Sequence, residues 1–182
     1  MRRIAVFTGS TNGNSPTFAT LAYSVGEELA RREIGLVYGG GRAGLMGELS
    51  QGALDAGGEV IGVIPQAMVD REWARTDLTD LRVCATMHER KAIMADNADA
   101  FLALPGGLGT LEEIFEVWTW RQLGFHRKPV GFLNAEGFWQ PLLDALHGIS
   151  SAGFLSAVTL EDVVVDGNLS DVLKGLSQKL GA

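Results

Sequence analysis

Cysteine is nearly absent from this chain: of 182 residues only Cys84 carries a thiol, which excludes an internal disulfide and a cysteine metal cluster. Long hydrophobic runs are missing as well, and none approaches the roughly 20 residues that span a bilayer. Basic charge is in short supply. Fifteen Lys and Arg face 22 Asp and Glu, for a net charge of -7 and a sequence pI near 4.9, and no basic run exceeds Arg2-Arg3, Arg31-Arg32 or Arg90-Lys91. That removes the electrostatic footprint of a nucleic-acid binder but leaves room for a small anion held by a local cluster of amides and cations. His88, His126 and His147 show neither H-x₃-H nor H-E-x-x-H spacing, so no metal is expected; no cofactor is expected either. The opening MRRIAVFTG runs straight into a strand without an apolar signal region, and the expectation is a cytosolic protein that meets no membrane.

What the chain has in quantity is glycine, 24 residues, and apolar side chains, 46% of the sequence, enough for one domain with a full core. Short runs rich in Val, Ile and Leu at 4–7, 36–38, 60–64, 100–104 and 129–133 read as strands buried on both faces. Helical patterns lie between them at 16–33, 45–57, 87–97, 110–123 and 137–151, each bounded by Gly, Pro, Asn or Asp. A short strand and a closing amphipathic helix are expected in 163–182, whereas 66–81 has no clear period and reads as one long irregular connection. Strictly alternating β and α predicts a single α/β domain: a doubly wound, Rossmann-like, mostly parallel sheet with helices on both faces.

Three glycine loops follow three of these strands, at the sheet edge where such folds bind ligands. The first is Thr8-Gly9-Ser10-Thr11-Asn12-Gly13, and the second runs from Gly39 to Gly47. The third, Pro105-Gly106-Gly107-Leu108-Gly109-Thr110, leads into a helix that begins Leu111-Glu112-Glu113. Strand, glycine turn and helix N-terminus together aim free amides and a positive dipole end at one point, which suits a phosphate. The second loop contains a literal G-x-G-x-x-G at Gly39, Gly41 and Gly44. The following strand ends Val63-Ile64-Pro65 without the acid a dinucleotide site needs, and no G-x-x-x-x-G-K-[ST] exists, so NAD binding and P-loop chemistry are set aside.

These residues carry a family resemblance. Gly39-Gly40-Gly41 with Gly44-Leu45-Met46-Gly47, then Met87-His88-Glu89-Arg90-Lys91, then Pro105 to Glu113 as P-G-G-x-G-T-x-x-E, closely resemble the LOG (Lonely Guy) family of cytokinin riboside 5'-monophosphate phosphoribohydrolases. Phe7-Thr8-Gly9-Ser10-Thr11-Asn12-Gly13 is similar to that family's F-C-G-S-S-x-G opening, with Thr8 for the usual Cys and Thr11 for the usual Ser. Met68-Val69-Asp70-Arg71-Glu72 and Thr119-Trp120-Arg121-Gln122-Leu123-Gly124 extend the likeness, which runs from about residue 4 to 150.

The resemblance implies hydrolysis of the N-glycosidic bond of a purine nucleoside 5'-monophosphate, such as AMP or a cytokinin nucleotide, to free base and ribose 5-phosphate. It implies Arg90 and Glu113 as the catalytic pair, and Glu72, Lys91, Gly106, Gly107, Gly109, Thr110 and Glu112 as substrate contacts. Gly9, Ser10, Gly40, Gly41 and Met46 from the first two loops, and Thr119, are expected contacts on the same ground. A homodimer is implied too. The family's frequent label "lysine decarboxylase" finds no support here, since a pyridoxal-phosphate decarboxylase needs a Schiff-base lysine and an acid for the pyridinium nitrogen.

The chemistry fits the residues by itself. Breaking a ribose N-glycosidic bond builds positive charge on the sugar, which a carboxylate at Glu113 can stabilise while it orients water. Arg90 holds its proton too tightly to donate it and serves by hydrogen bonding or positioning; the sequence leaves open which group protonates the base. Met87, Met94, Trp118 and Trp120 read as packing residues, His88 as a supporting group, and Asp96 with Asp99 as a solvated turn. A nucleotide or molybdenum-cofactor carrier on the same fold is the alternative, and it would have no need of Arg90 together with Glu113.

Overall fold

The computed structural model describes residues 1–71 and 73–181. Its strands are β1 (Arg3–Phe7), β2 (Gly35–Tyr38), β3 (Val60–Pro65), β4 (Asp80–Cys84), β5 (Ala100–Ala103), β6 (Val130–Leu133) and β7 (Val164–Asp166). Its helices are α1 (Pro16–Arg31), α2 (Gly44–Asp55), α3 (Gln66–Val69), α4 (Met87–Asp96), α5 (Leu108–Gln122), α6 (Gln140–Ser151), α7 (Ala157–Glu161) and α8 (Leu169–Leu180). The strands form one sheet in the order β4-β3-β2-β1-β5-β6-β7, and every neighbouring pair is parallel.

Side chains alternate across that sheet with the period of two that a pleated strand imposes. Ile4 and Val6 of β1 join Ala100 and Leu102 of β5 in one apolar layer, covered by α1, α2 and α8 through Leu29, Leu49 and Leu176. Ala5 and Phe7 join Phe101 and Ala103 in the other, covered by α4, α5 and α6 through Met94, Ile114 and Leu143. Cover on both faces is why the central strands carry almost no polar residue.

The expected strands and helices are present, with ends displaced by no more than three residues. The segment 66–81 departs from expectation: it holds the short α3, a bridge between Gly41 and Ala74, and the start of β4. As an edge strand, β4 carries Asp80 and Arg82, paired at 2.8 Å, and leaves Val83 46% exposed. Charge on an edge discourages further strand pairing, and it also erases the apolar run by which a buried strand is recognised. The five-residue α7, capped by Ser156, was likewise unexpected.

Strand order reverses at β1, whose neighbours are β2 on one side and β5 on the other. Loops leaving the ends of β1 and β5 therefore diverge and open a crevice, the place where doubly wound sheets bind ligands.

Candidate active site

The crevice is built by tying loops together. Gly9 N–H donates to Pro105 O at 3.1 Å and the Thr8 hydroxyl donates to the same carbonyl at 2.9 Å, fastening the β1 loop to the β5 loop. Met46 N–H donates to Gly9 O at 3.2 Å and brings in the start of α2. Thr8 thus supplies a side-chain bond that holds the crevice together. The result is a cleft of about 570 Å³, within the roughly 300–1,000 Å³ of small-molecule sites.

At one end lies the N-terminus of α5. Gly107 caps it without a side-chain bond, and the first helical bond is Leu111 N–H to Gly107 O at 3.1 Å. The amides of Leu108, Gly109 and Thr110 precede that bond and have no partner within the helix. A side chain at Gly106 would meet Thr110 Oγ1 at 2.1 Å and Gly9 N at 2.9 Å, so only glycine lets the cradle close on itself.

On the floor stands an ion pair. Arg90 and Glu113 are 7% and 8% exposed and meet at 2.6 Å, Nη1 donating to Oε1. Helix α4 fixes the arginine. Thr86 caps it by accepting from Glu89 N–H at 3.1 Å, and Glu89 reaches back to Ala85 N–H at 2.8 Å, a near-reciprocal capping box that sets where the helix starts. Arg90 then donates from Nε to Val63 O at 3.0 Å, and its Nη2 lies where a side chain on Gly39 would stand, 2.0 Å from that Cβ position. Glycine at 39 is what admits the guanidinium. Burial pushes the Glu113 carboxyl above the usual glutamate value, against the opposing pull of Arg90.

Most expected contacts converge here. Gly9, Ser10, Gly41, Met46, Gly106, Gly107, Gly109, Thr110 and Glu112 line the cleft with Arg90 and Glu113. Glu72 lies outside the described residues. Three others do not reach the cleft. Gly40 is packed against Ile64 and Val63 in a left-handed turn with φ +71°, a structural position behind the lining. Lys91 is only 6% exposed and is spent on carboxylates of α5, pairing with Glu112 and, at 2.8 Å, with Glu116. Burial pulls the Lys91 ammonium down, but the two acids outweigh it and hold it above the usual lysine value. Thr119 is exposed on α5 and lines a separate small hollow with Trp118 and Phe154.

Other residues line the cleft that the sequence did not single out. Met87, expected to pack, is 40% exposed on the rim, and Met68, Trp73, Phe18 and Phe138 join Leu45, Ile64 and Leu108 in the apolar lining. Phe18 and Phe138 meet edge to face at 5.5 Å. His88 is exposed on α4, and Asp99 accepts from Arg2 and Arg3 N–H at 2.5 and 3.0 Å, pinning the chain start to β5. Trp118 is buried in the core as expected. Among the described residues no cluster of His, Cys, Asp and Glu is arranged to hold a metal, and no helix is long and apolar enough to cross a membrane.

Arg90 is the one cation lining the cleft among the described residues, and it is already paired, so an anion there meets amides and a helix dipole. The arrangement therefore sets unpartnered helix amides, which suit a phosphate, and a buried carboxylate with a raised pKa in the same cleft. It does not fit pyridoxal phosphate, whose Schiff base needs a free lysine, because Lys91 is ion-paired behind the wall.

The family model described as "Possible lysine decarboxylase" matches residues 46–176. Cytokinin riboside 5'-monophosphate phosphoribohydrolase LOG7 of Arabidopsis thaliana is 45% identical over 177 residues, 97% of this chain and 82% of its own. The corresponding LOG enzyme of Oryza sativa subsp. japonica is 50% identical over 155 residues, 85% of this chain and 64% of its own. Among solved structures, the molybdenum cofactor carrier protein of Chlamydomonas reinhardtii superposes with a TM-score of 0.73 at 21% identity, covering 99% of this chain and 98% of that one. The molybdenum cofactor binding protein of Rippkaea orientalis does so with 0.71 at 24%, covering 97% and 95%. Those two share the fold. With the motif residues gathered around one cleft and near 45% identity along almost its whole length, the chain belongs to the LOG family.

Proposed function

We propose that the protein hydrolyses the N-glycosidic bond of purine nucleoside 5'-monophosphates, AMP and cytokinin nucleotides among them, releasing free base and ribose 5-phosphate. The observation that carries this reading is the buried Arg90–Glu113 pair set beside an uncapped helix N-terminus in one cleft. The amides of Leu108 to Thr110 hold the 5'-phosphate, with Gly9, Ser10, Gly41, Met46, Gly106, Gly107 and Glu112 lining the rest of the path. Binding energy gained there, remote from the bond that breaks, is used to hold the sugar in line for reaction.

The bond between C1' and the base nitrogen lengthens, its electron pair leaves with the base, and positive charge grows on the sugar. Glu113, fixed by Arg90, faces that charge and takes a proton from the attacking water, whose oxygen ends on C1'; the departing base gains one proton overall. A raised carboxyl pKa suits this work, because a more basic carboxylate is a better proton acceptor. A carrier would need neither residue.

If the cradle binds phosphate, adenosine is a poor substrate. Its kcat/KM is expected to fall below that of AMP by a factor on the order of 10³, the scale of a lost anchoring group; equal values for the two would remove the cradle from the reading. We take the enzyme to be a cytosolic homodimer. A lone free thiol, buried at Cys84, suits a reducing compartment, and Phe154 at 88% and Ile149 at 45% exposure beside Trp118 give an apolar patch that a second copy would cover. A native mass of two chains is expected, and one chain at micromolar concentration would contradict it.

A further inference from the structure

Helix α5 opens with a conflict of charge. Its first turn carries no acid, so the amides of the cradle keep their pull on an anion, but the turns that follow hold Glu112, Glu113 and Glu116. Helical side chains lean toward the N-terminus, which tilts these carboxylates toward the cradle. Left alone, they would offset the positive end of the dipole and repel a phosphate. Glu112 comes first in the chain and lines the cleft together with Gly107, Gly109 and Thr110.

Two consecutive cations of α4 answer the three acids. Arg90 takes Glu113, and Lys91 takes the other two, holding Glu112 Oε1 and, at 2.8 Å, Glu116 Oε2. The side chain of Glu112 is 54% exposed, whereas the lysine behind it is 6% exposed and lines no part of the cleft. Its two acids keep the ammonium charged against the cost of burial. A charge buried in this way is screened by salt far less than one in water, so its field reaches through the wall.

The seam between α4 and α5 thus sets two cations against three carboxylates, an excess of one negative charge. Without Lys91 the excess would be two. Glu112 and Glu116 also stand four residues apart on one helix face, where like charges repel, and the ammonium between them turns that repulsion into a bridge.

Resting on the phosphate cradle proposed above, we infer that Lys91 is a positioning residue for nucleotide binding, one that never touches the ligand: from behind the wall it pins Glu112 and Glu116 and offsets their charge, so that the start of α5 stays attractive to a phosphate. This role differs from that of a direct contact in a way that can be measured. A contact is lost for good when the lysine is removed, but an offsetting charge becomes unnecessary once the acid it offsets is removed as well.

The test reads Kd by calorimetry at low salt for formycin A 5'-monophosphate and for formycin A, whose carbon–carbon link to the sugar is not hydrolysed. Lys91→Met is expected to weaken the monophosphate about tenfold and the nucleoside by less than about twofold, since only the phosphate carries charge. Lys91→Met/Glu112→Gln is expected to recover most of that loss. A double variant as weak as the single one would make Lys91 a direct contact, and equal losses on nucleotide and nucleoside would make its role one of general packing; either result overturns the inference. Glu116→Gln, which keeps Lys91 and alters no residue of the cleft, is expected to tighten the monophosphate about threefold. Unchanged or weaker binding there overturns the inference even if Lys91→Met does not fold. Wild-type protein that binds the monophosphate no better than the nucleoside removes the cradle and the inference together. Absence of base release from AMP, by contrast, overturns only the proposed hydrolysis, because these Kd values need no turnover.

Discussion

Glu113→Gln lowers turnover of AMP by a factor on the order of 10²–10⁴, the range of positioned acid–base groups, while nucleotide affinity stays within a few-fold. The reasoning is steric and electrostatic. Glutamine keeps the shape of the side chain and can still accept from Arg90 Nη1, now 2.6 Å from Oε1, so the floor of the cleft is preserved. What is lost is the negative charge and the site for a proton. Binding is held by the amides at the start of α5, which the substitution does not touch. Because burial raises the carboxyl of Glu113, the acid limb of the wild-type kcat/KM profile lies above the ordinary glutamate value of about 4.3, and the variant lacks that limb. Normal turnover in the variant would take Glu113 out of the mechanism.

Arg90→Met acts on stability as well as activity. Removing one partner of a buried pair leaves the other charge uncompensated, a loss of about 3–5 kcal/mol in comparable cases, and methionine returns most of the packing volume. The size of the effect depends on pH in a definite direction. Glu113 loses the neighbour that holds its carboxyl down, so its folded value rises further above the unfolded one. A carboxyl raised in this way favours the fold when protonated, and that contribution is lost as pH rises through the folded value. Urea unfolding is therefore expected to show a larger deficit at pH 7.5 than at pH 5, and the double variant with Glu113→Gln to recover part of it. Equal deficits at the two pH values would mean that Glu113 carries no buried charge.

How far such a site could be read from sequence depends on what each residue answers to. Central strands announce themselves because β1 and β5 are covered on both faces, so Ile4 to Phe7 and Ala100 to Ala103 are apolar without interruption. Edge strand β4 answers to solvent on its open side, and Asp80 with Arg82 hide it. The Arg90–Glu113 pair was legible because both residues sit in motifs, but not its depth, which follows from Gly39 vacating the space for Nη2.

Lys91 shows the opposite case. Next to Arg90 in the chain it reads as a second cation for the ligand, yet one residue of helix turns it about 100° away, toward Glu112 and Glu116 on α5. Thr119 fails for a reason that helix geometry already contains: six residues beyond Glu113, it lies about 9 Å along α5 and well around its axis. Trp73 could have been noticed. A tryptophan in a segment without apolar period has no core to serve, and the segment's order comes from backbone bonds to Gly40 and Arg42, which no side-chain pattern reports.

The most direct measurement is chromatographic identification of the products formed from AMP by the wild-type protein, with Glu113→Gln alongside. Free adenine and ribose 5-phosphate in equal amounts, and at least about a hundredfold less of both from the variant, is the result expected of a carboxylate that acts on the glycosidic bond. No adenine from the wild-type protein with AMP, or with isopentenyladenosine 5'-monophosphate, would contradict the account and leave the cleft a nucleotide-binding site without hydrolytic chemistry.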